Sequence, residues 1–268
     1  MERPSWVPAE VDLSRPSAAR VYDYYLGGSH NLEVDRAMAR EAIALWPDLP
    51  AIMQSNRAFL RRAVRYVAAH GITQFLDIGS GIPTVGNVHE AAHQADPEAR
   101  VVYVDSDPIA VAHSRAILAG DERTAVVQAD LREPDALLEH PAVRDMIDLT
   151  RPVAVLMVAV LHFVPDEDDP QDAVERIAHR LAGGSYLVLS HASAEGRPDL
   201  AGSHRQLYRR TPTPMTMRSR TDIARLFDGF ELVEPGLVWL PLWHPDHPAD
   251  AGQQPERTTG YAGVGRKP

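Results

Sequence analysis

Between residues 72 and 192 the sequence alternates short apolar runs with longer helical patterns, and this alternation constrains the fold more than any other feature. The apolar runs are ITQFLDI, RVVYVD, TAVVQAD, PVAVLMVAVLHFV and SYLVLSHAS. Such runs indicate strands that are buried on both faces, and the helices between them indicate parallel crossover connections. The sequence therefore predicts an α/β fold in which a mostly parallel sheet lies between two layers of helices.

The residues before this alternation follow a different pattern. Residues 1–16 contain three prolines and no helical period, so they predict an extended arm. Residues 17–28, 31–46 and 50–70 have the period of three helices, and Ser17 is a suitable N-cap for the first of them. We expect these helices to form a cap over the sheet.

The residues after the alternation predict a helical insertion and a strand pair. Residues 195–229 have a helical character, and the two runs ELVEPGLVWL and TGYAGVGRK are typical of strands that pair antiparallel at a sheet edge. No repeat or linker divides the chain. We therefore predict one domain, in which 1–70 is the arm and helical cap or lid and 71–268 is the core with its insertion near 195–229.

Composition excludes several classes of protein. The 268 residues contain no cysteine, which excludes disulfides, thiol nucleophiles and cysteine-ligated metals. The formal net charge of -10 argues against a general nucleic-acid binder, because phosphate neutralisation requires a basic face. No run approaches the roughly 18 apolar residues of a membrane span, so we expect a cytoplasmic protein without a membrane partner.

The run FLDIGSGIPT joins the first predicted strand to the next helix. Gly79 and Gly81 allow the backbone to approach a ligand without an intervening Cβ, and the helix that follows offers free N–H groups. Ligands of open parallel sheets lie at the carboxyl ends of the strands, where this loop is placed. The alternative is a tight strand-to-helix turn without a ligand.

Two carboxylates end the next two predicted strands. Asp105 follows RVVYV, where a carboxylate can accept two hydrogen bonds from a ribose diol, and Asp130 follows TAVVQA, where it can accept one from an exocyclic amine such as adenine N6. The alternative for each is a helix or turn cap, although Ser106 or Asp107 already supplies the cap after Asp105. Together with the glycines, these carboxylates predict a nucleoside pocket.

The glycine spacing favours one nucleoside over another. A dinucleotide site has the pattern G-x-G-x-x-G, and the third glycine position is occupied here by Thr84, after Pro83. S-adenosylmethionine contains no phosphate and does not require that third glycine. We therefore expect S-adenosylmethionine as cofactor, with an NAD-dependent oxidoreductase as a less favoured alternative.

Four motifs strengthen this expectation by resemblance. DIGSG, YVDSD, QADLREP and VLHFVPD, followed by RIAHRLAGGSYLVLS, resemble the successive motifs of class I S-adenosylmethionine-dependent methyltransferases over about residues 70–192. PSAARVYDYYLGGSHNLEVDR, SNRAFLRRAVRYV and the terminal YAGVGRKP resemble a bacterial family of such proteins, catalogued as DUF574. The resemblance implies a Rossmann-like sandwich with seven strands, the last of them antiparallel.

The resemblance also implies a role for each cofactor-binding position. Gly79, Ser80 and Gly81 would pass under the methionine part, Asp105 with Ser106 would bind ribose, Asp130 and Leu131 would bind adenine, and Asp77 would orient the loop or the methionine amino group. Residues Ala159 and Val160, at the start of the stretch that ends at His162, would line the reacting side. Pro83 departs from the family pattern, which has a third glycine in this loop.

Other residues are candidates for the acceptor side. The segment YDYYLGGSHN is a candidate lid. Its Tyr22 and Tyr25 offer aromatic walls, and its His30 and Asn31 could bond an acceptor or the methionine carboxylate. The alternative is a packed helical cap. Arg57 is a candidate clamp for a carboxylate, or else a solvated arginine. His162 and His191 follow the fourth and fifth strands, where a general base could stand, or where a histidine could be a satisfied neighbour. We predict Tyr22, His30 and His162 as catalytic.

One motif points to different chemistry. VHEAAHQ contains the H-E-x-x-H spacing of zinc proteases at His89, Glu90 and His93. It lies between a glycine loop and a parallel strand and lacks the further histidine of the longer protease motif, so we expect no metal. The sequence thus favours a methyltransferase acting on an unidentified small molecule, and the alternative is a binder of S-adenosylmethionine or S-adenosylhomocysteine without turnover, since both require the same pocket.

Overall fold

A computed structural model of the chain describes residues 13–83 and 86–268. Most of the predicted N-terminal arm and Thr84 therefore lie outside the described residues. The α-helices are α1 Ala18–Tyr25, α2 Glu33–Leu45, α3 Leu49–Ala69, α4 Val88–Ala95, α5 Pro108–Ile117, α6 Pro134–Glu139, α7 Pro141–Met146, α8 Pro170–Arg180, α9 Pro198–Tyr208 and α10 Arg220–Arg225. The strands are β1 Gln74–Ile78, β2 Arg100–Asp105, β3 Thr124–Gln128, β4 Ala154–Val158, β5 Tyr186–Ala192, β6 Glu231–Leu232, β7 Val238–Trp239 and β8 Gly260–Arg266.

The strands form one sheet with the order β3-β2-β1-β4-β5-β8-β6, and β7 also pairs with β8. The first five strands are parallel, and β8 runs antiparallel to β5 from Tyr186 opposite Arg266 to Ala192 opposite Gly260. Strand order reverses between β1 and β4, so the carboxyl ends of these two strands open a crevice. This arrangement confirms the Rossmann-like α/β fold and its antiparallel last strand.

The sheet has eight strands in the described residues where seven were expected. The difference arises in the run ELVEPGLVWL, which was predicted as one strand. A turn interrupts it: Gly236 has φ 83° and its N–H donates to the Val233 carbonyl over 2.8 Å. Because a positive φ ends the extended backbone, the run divides into β6 and β7, which pair with different parts of β8.

Helices cover both faces of the sheet. Alternate residues of a strand point to opposite faces, so Leu76 and Ile78 pack into one apolar cluster and Phe75 into the other. A third cluster joins α1 and α2 to α9. Among the described residues, no helix combines the length and the apolar character needed to cross a membrane.

The cap begins as the sequence predicts. Ser17 is the N-cap of α1, and Gly27 follows the end of the helix with φ 79°, a conformation that favours glycine. The Ser17 hydroxyl does not bond to its own helix and donates instead to Asp107, at the start of α5. α1 therefore lies against the carboxyl end of the sheet.

Candidate active site

A cavity of about 630 Å³ lies at the carboxyl ends of the parallel strands, beneath α1. We call it the large cavity. Its lining includes predicted residues from α1, from α3 and from the ends of the first four strands: Tyr22, Arg57, Asp77, Gly79, Ser80, Gly81, Asp105, Ser106, Asp130, Leu131, Ala159 and Val160. Residues that are far apart in the sequence thus meet at the crevice between β1 and β4.

The two glycines after β1 have different neighbours. A Cβ on Gly79 would lie 2.2 Å from Cγ2 of Val160, and a Cβ on Gly81 would meet no atom within 4 Å. Both residues have positive φ, 74° and 63°. Gly79 is thus required by packing against the β4 side of the site, whereas Gly81 presents open backbone to the large cavity.

Asp105 holds the glycine loop. Its carboxylate accepts hydrogen bonds from Gly81 N over 2.7 Å and from Asp107 N over 2.8 Å. Asp107, rather than Asp105, caps α5 by accepting from Ile109 N. Burial raises the pKa of Asp105 to about 6, against the effect of these N–H donors. Because a carboxylate has about four acceptor positions, Asp105 retains capacity for the two hydroxyls of a ribose.

The far end of the large cavity contains an ion pair that the sequence did not indicate. Arg132 donates to Asp130 over 2.6 Å and to Asp168 over 3.0 Å. The Arg132 hydrogen bonds hold the pKa of Asp130 below its usual value. Leu131 lies buried beside them. A polar edge next to an apolar side chain suits a heteroaromatic base.

Asp77 and Arg57, whose charged forms have opposite sign, both line the large cavity. Burial raises the pKa of Asp77 to about 7, although Arg57 acts in the opposite direction. The guanidinium carbon of Arg57 lies 5.5 Å from the centroid of the Tyr22 ring. Its Nε is buried and has no hydrogen-bond partner among the described residues. An ammonium and a carboxylate of one ligand could be bound by this pair.

A second cavity of about 60 Å³ adjoins the first. We call it the small cavity. The residues that line both cavities form the shared wall: Ala18, Tyr22, Asn56, Ala159 and Phe163. The insertion contributes to both, with Pro212, Thr213 and Pro214 on the large cavity and Met215 and Met217 on the small one.

The amino-acid sequence identifies the family to which this chain belongs. The family model described as S-adenosyl methyltransferase matches residues 4–268, nearly the whole chain. The chain belongs to the S-adenosyl methyltransferase family. It is therefore a methyltransferase, and its cofactor is S-adenosylmethionine. The resemblance found in the motifs is confirmed.

Solved structures agree with this assignment. A DUF574 family protein from Streptomyces avermitilis is 44% identical, with a TM-score of 0.90 over 95% of this chain and 98% of that chain. A protein from Thermobifida fusca is also 44% identical, with a TM-score of 0.89 over 98% of this chain and 99% of that one. Human N-acetylserotonin methyltransferase in complex with S-adenosylmethionine is 14% identical, with a TM-score of 0.50 over 95% of this chain and 63% of that one, which shows the fold alone. A search of curated proteins found no match.

The residues of the methyltransferase fit this cofactor. Gly81 offers backbone where a Cβ would meet no protein atom, so a ligand can lie against it. Arg57 has a buried Nε without a partner, as expected for a group that binds the methionine carboxylate. Asp77 and Asp105 are the buried carboxylates that a cation would keep ionised.

Hydrogen bonds run through the shared wall of the methyltransferase. Asn56 Nδ2 donates to the Tyr22 hydroxyl over 2.8 Å, and Ser190 Oγ donates to Asn56 Oδ1 over 2.6 Å. Ser190 Oγ in turn accepts from Ala159 N over 3.0 Å. Ala159 has φ 59°, which is uncommon for a residue with a Cβ and is held by this bond. The position of Tyr22 is thus coupled to the backbone at Ala159.

The two histidines expected near the acceptor both line the small cavity. His191 is fully engaged, because Nδ1 lies 2.8 Å from the Ala192 carbonyl and Nε2 lies 2.9 Å from an Arg218 nitrogen. His162 Nδ1 accepts from Ala192 N over 3.4 Å, which leaves its ring proton on Nε2. Burial lowers the pKa of His191 to about 3 and that of His162 well below its usual value, so both rings are neutral.

Three predicted residues of the lid do not line either cavity. His30 N and Asn31 Nδ2 both donate to Asp23 Oδ2, over 2.9 Å and 2.8 Å, which ties the loop after α1 back to that helix. Tyr25 is buried in the cluster between α1, α2 and α9. Asp23 lines the large cavity, and its Oδ1 is buried without a partner. Asp23 of α1, which sequence reasoning did not single out, therefore lines the large cavity together with Tyr22 and Leu26 of the same segment.

The H-E-x-x-H segment has other partners. A ring nitrogen of His89 lies 2.7 Å from the Tyr103 hydroxyl, and one of His93 lies 3.0 Å from the Ala99 carbonyl. Glu90 accepts from Asn87 N as part of a capping box at the start of α4. These contacts fasten α4 to the sheet.

Charged residues fasten the cap to the cofactor site. Arg20 Nε donates to Asp35 over 2.7 Å, and Arg20 and Ser17 both donate to Asp107. Arg20 and Asp35 are almost completely buried. Because Asp107 also caps α5, one carboxylate joins the cap helix to the helix that follows β2. We call these bonds the latch.

Proposed function

We propose that the methyltransferase transfers the methyl group of S-adenosylmethionine in line to a small-molecule acceptor, with the cofactor in the large cavity and the reacting atoms at the shared wall. One observation carries the proposal: two buried carboxylates of raised pKa and a buried guanidinium with an unpaired Nε surround one open glycine loop. This set matches the charges of the cofactor.

Each end of the cofactor has a partner in this proposal. Asp105 binds the ribose diol, and Asp130 with Leu131 holds the adenine beside the Arg132 ion pair. Arg57 binds the methionine carboxylate, and Asp77 binds the ammonium or holds the loop beneath it. Ser80, Gly79, Gly81 and Ser106 contribute backbone at the floor of the large cavity.

The bound cofactor supplies a methyl carbon on a positively charged sulfur, and the acceptor's lone pair forms the new bond to that carbon as the carbon–sulfur pair returns to sulfur. Tyr22, Ala159 and Phe163 position the acceptor at the shared wall and exclude water. The positive charge leaves sulfur during this step and passes to the acceptor atom, so alignment of the reacting atoms matters more than acid–base help until that atom must lose a proton. A base is required only where the acceptor atom carries a proton that must leave.

The three residues predicted as catalytic differ in their position relative to the two cavities. Tyr22 lies at the shared wall, although its hydroxyl is already bonded to Asn56 and lies 3.4 Å from the Met53 carbonyl. His162 lines the small cavity as a neutral ring and is suited to donate from Nε2 to an acceptor oxygen. His30 contacts neither cavity, so a role for it requires movement of the loop after α1.

The test is calorimetric titration with S-adenosylmethionine and S-adenosylhomocysteine. We expect low-micromolar binding, and Asp105→Ala should weaken it about 100-fold, because the variant loses charge-assisted bonds of about 1.5–3 kcal/mol and the anchor of the glycine loop. Asp145→Ala, at an exposed position away from the cavity, is the matched control. Titrations in which folded protein binds neither compound would refute the proposal.

Turnover is measured separately with a labelled methyl group and a panel of small acceptors. Transfer to any acceptor, lost with Asp105→Ala and kept with Asp145→Ala, supports the proposed reaction. Tight binding of both compounds with no transfer to any acceptor in the panel would favour the alternative of a cofactor binder without turnover.

A further inference from the structure

We propose that the small cavity binds an uncharged, single-ring aromatic portion of the methyl acceptor. The inference rests on the proposed function and adds the chemical class of the acceptor to it. It is carried by the lining of the small cavity, which in the described residues lacks the charged side chains of the large cavity and contains two unpaired ring nitrogen atoms and three methionines.

The small cavity excludes charge. No aspartate, glutamate, lysine or arginine is among the described residues that line it. Its polar lining includes His162, His191 and His204, and burial lowers the pKa of each, to about 3 for His191 and about 4 for His204. A carboxylate or ammonium placed there would lose its hydration without gaining a counter-ion, which costs several kcal/mol.

The nearby charges are already paired outside the small cavity. Arg218 contacts His191 and forms an ion pair with Asp166 over 2.6 Å. Arg197 lies 6.0 Å from the Trp46 ring and pairs with Asp199 over 2.8 Å. Neither arginine lines the small cavity. A charged acceptor group therefore finds no free partner in it among the described residues.

Two unpaired nitrogen atoms indicate that the occupant carries a neutral polar group. Trp46 Nε1 and His204 Nδ1 are buried without hydrogen-bond partners, and both residues line the small cavity. Their rings meet edge to face at 5.4 Å. An unpaired buried donor or acceptor costs about 1–3 kcal/mol, which a ligand hydroxyl can recover because it both accepts and donates.

The walls of the small cavity suit a flat ring. Phe163 and Tyr208 line it with ring planes inclined by 36° and centroids 5.6 Å apart. The cavity measures about 60 Å³, below the roughly 150 Å³ of an apolar cavity that binds benzene. Met53, Met215 and Met217 line it as well, and methionine side chains adapt readily to a ligand. One ring can enter by displacing them, whereas a fused ring system would require the helices to move.

The shared wall connects this ring to the reaction. A ring in the small cavity can direct a substituent past Ala159 and Phe163 toward the large cavity, where the proposed function places the methyl group. The acceptor class is thus a small neutral aromatic compound with a hydroxyl or similar polar group. Charged aromatic acids and amines are excluded from the small cavity.

The experiment uses three single-ring probes that differ in charge: 4-fluorophenol, 4-fluorobenzoate and 4-fluorobenzylamine. Their binding to the full chain is followed by fluorine NMR near pH 7.5, with and without saturating S-adenosylhomocysteine. We expect 4-fluorophenol to bind at least tenfold more tightly than either charged probe. Equal or tighter binding of a charged probe, or no binding of 4-fluorophenol, would overturn the inference.

Trp46→Phe locates the probe. It should weaken 4-fluorophenol about fivefold to tenfold, as expected for one lost hydrogen bond of about 1–1.5 kcal/mol. Trp243→Phe is a matched control, because Trp243 Nε1 is also buried without a partner but Trp243 lines neither cavity. Thermal unfolding of each variant verifies its fold. If Trp243→Phe weakens the probe as much as Trp46→Phe does, the probe does not occupy the small cavity and the inference is wrong.

Titration with S-adenosylhomocysteine on the same samples separates this inference from the proposed function. If S-adenosylhomocysteine fails to bind while 4-fluorophenol binding depends on Trp46, the proposed function fails and the chemistry of the small cavity stands. If S-adenosylhomocysteine binds while the probes show no preference for the neutral ring, the proposed function stands and the acceptor class is wrong.

Discussion

The large and the small cavity share a wall but differ in the charged side chains that line them. Burial raises the pKa of Asp77 and Asp105 in the large cavity and lowers the pKa of the histidines in the small one. Only the large cavity also contains an opposite charge, on Arg57. Desolvation thus disfavours ionisation on both sides. Arg57 opposes it at Asp77, whereas the charge that opposes it at His191 is that of Asp166, which does not line the small cavity.

This difference shows how one fold can separate the two substrates of a transfer reaction. A ligand that carries both an ammonium and a carboxylate is complementary to the large cavity and is repelled by desolvation from the small one. A neutral ring has the opposite preference. Four further predictions examine the two cavities, beginning with the wall between them.

Asn56→Ala should have the largest effect, because it breaks the shared wall. It removes the bonds to Tyr22 and Ser190 and leaves two buried hydroxyl groups without these partners. We expect the free energy of unfolding to fall by about 3 kcal/mol in urea titrations. Ser190→Ala, which removes a smaller part of the same network, should cost about half as much. Equal stability of Asn56→Ala and the parent chain would contradict a structural wall.

Arg57→Met should weaken S-adenosylmethionine about 30-fold, a free-energy loss of about 2 kcal/mol, because the methionine carboxylate loses its partner. 5′-Methylthioadenosine lacks the amino-acid group, so its affinity should change less than threefold in the same calorimetric experiment. Arg65→Met, at an exposed position on α3 paired with Asp246, is the matched control. An equal loss for both ligands would place the guanidinium elsewhere on the cofactor.

Binding of S-adenosylmethionine should strengthen about tenfold between pH 5.5 and 7.5. The pKa values of Asp105 and Asp77 are about 6 and about 7 without the cofactor, and the positively charged sulfonium favours their ionised forms, so binding releases protons. Asp77→Asn should flatten the profile. Binding of 4-fluorophenol should stay constant over this range, since the histidines of the small cavity are already neutral.

The same carboxylates should lower the free energy of unfolding as the pH rises, whereas they strengthen cofactor binding as the pH rises. Without the cofactor, Asp77 and Asp105 hold protons in the folded state that they release in the unfolded state above about pH 4. Their contribution to stability therefore decreases as the pH rises from about 4 to about 7. Chemical unfolding of the parent chain and Asp77→Asn at several pH values measures this contribution.

The floor of the large cavity could be predicted from the sequence, and so could His162 and His191 of the small cavity, but Trp46 and His204 could not. Gly79, Gly81 and Asp105 follow directly from strand ends, because parallel strands bring their carboxyl ends to one edge. Trp46 and His204 meet only because α9, in the insertion, packs against α2. No local period encodes that contact between distant helices.

The hydrogen bonds of the shared wall show the same limit of prediction from sequence. Ser190 ends the buried run SYLVLS, where a polar residue in an apolar strand was a signal that could have been followed. Asn56 lies within a helix rich in polar residues, and nothing in its neighbours distinguishes it. Its partners come from α1 and β5, so its role depends on how three elements assemble.

The latch has a consequence for the timing of the reaction. Because Asp107 joins the cap to the helix that follows β2, we expect opening of the cap and loosening of the proposed nucleoside end to share one barrier. We expect this barrier to control the exchange of spent for fresh cofactor. The catalytic cycle would then be limited by the departure of S-adenosylhomocysteine, and its rate would be governed by Ser17 and Arg20, far along the chain from the glycine loop.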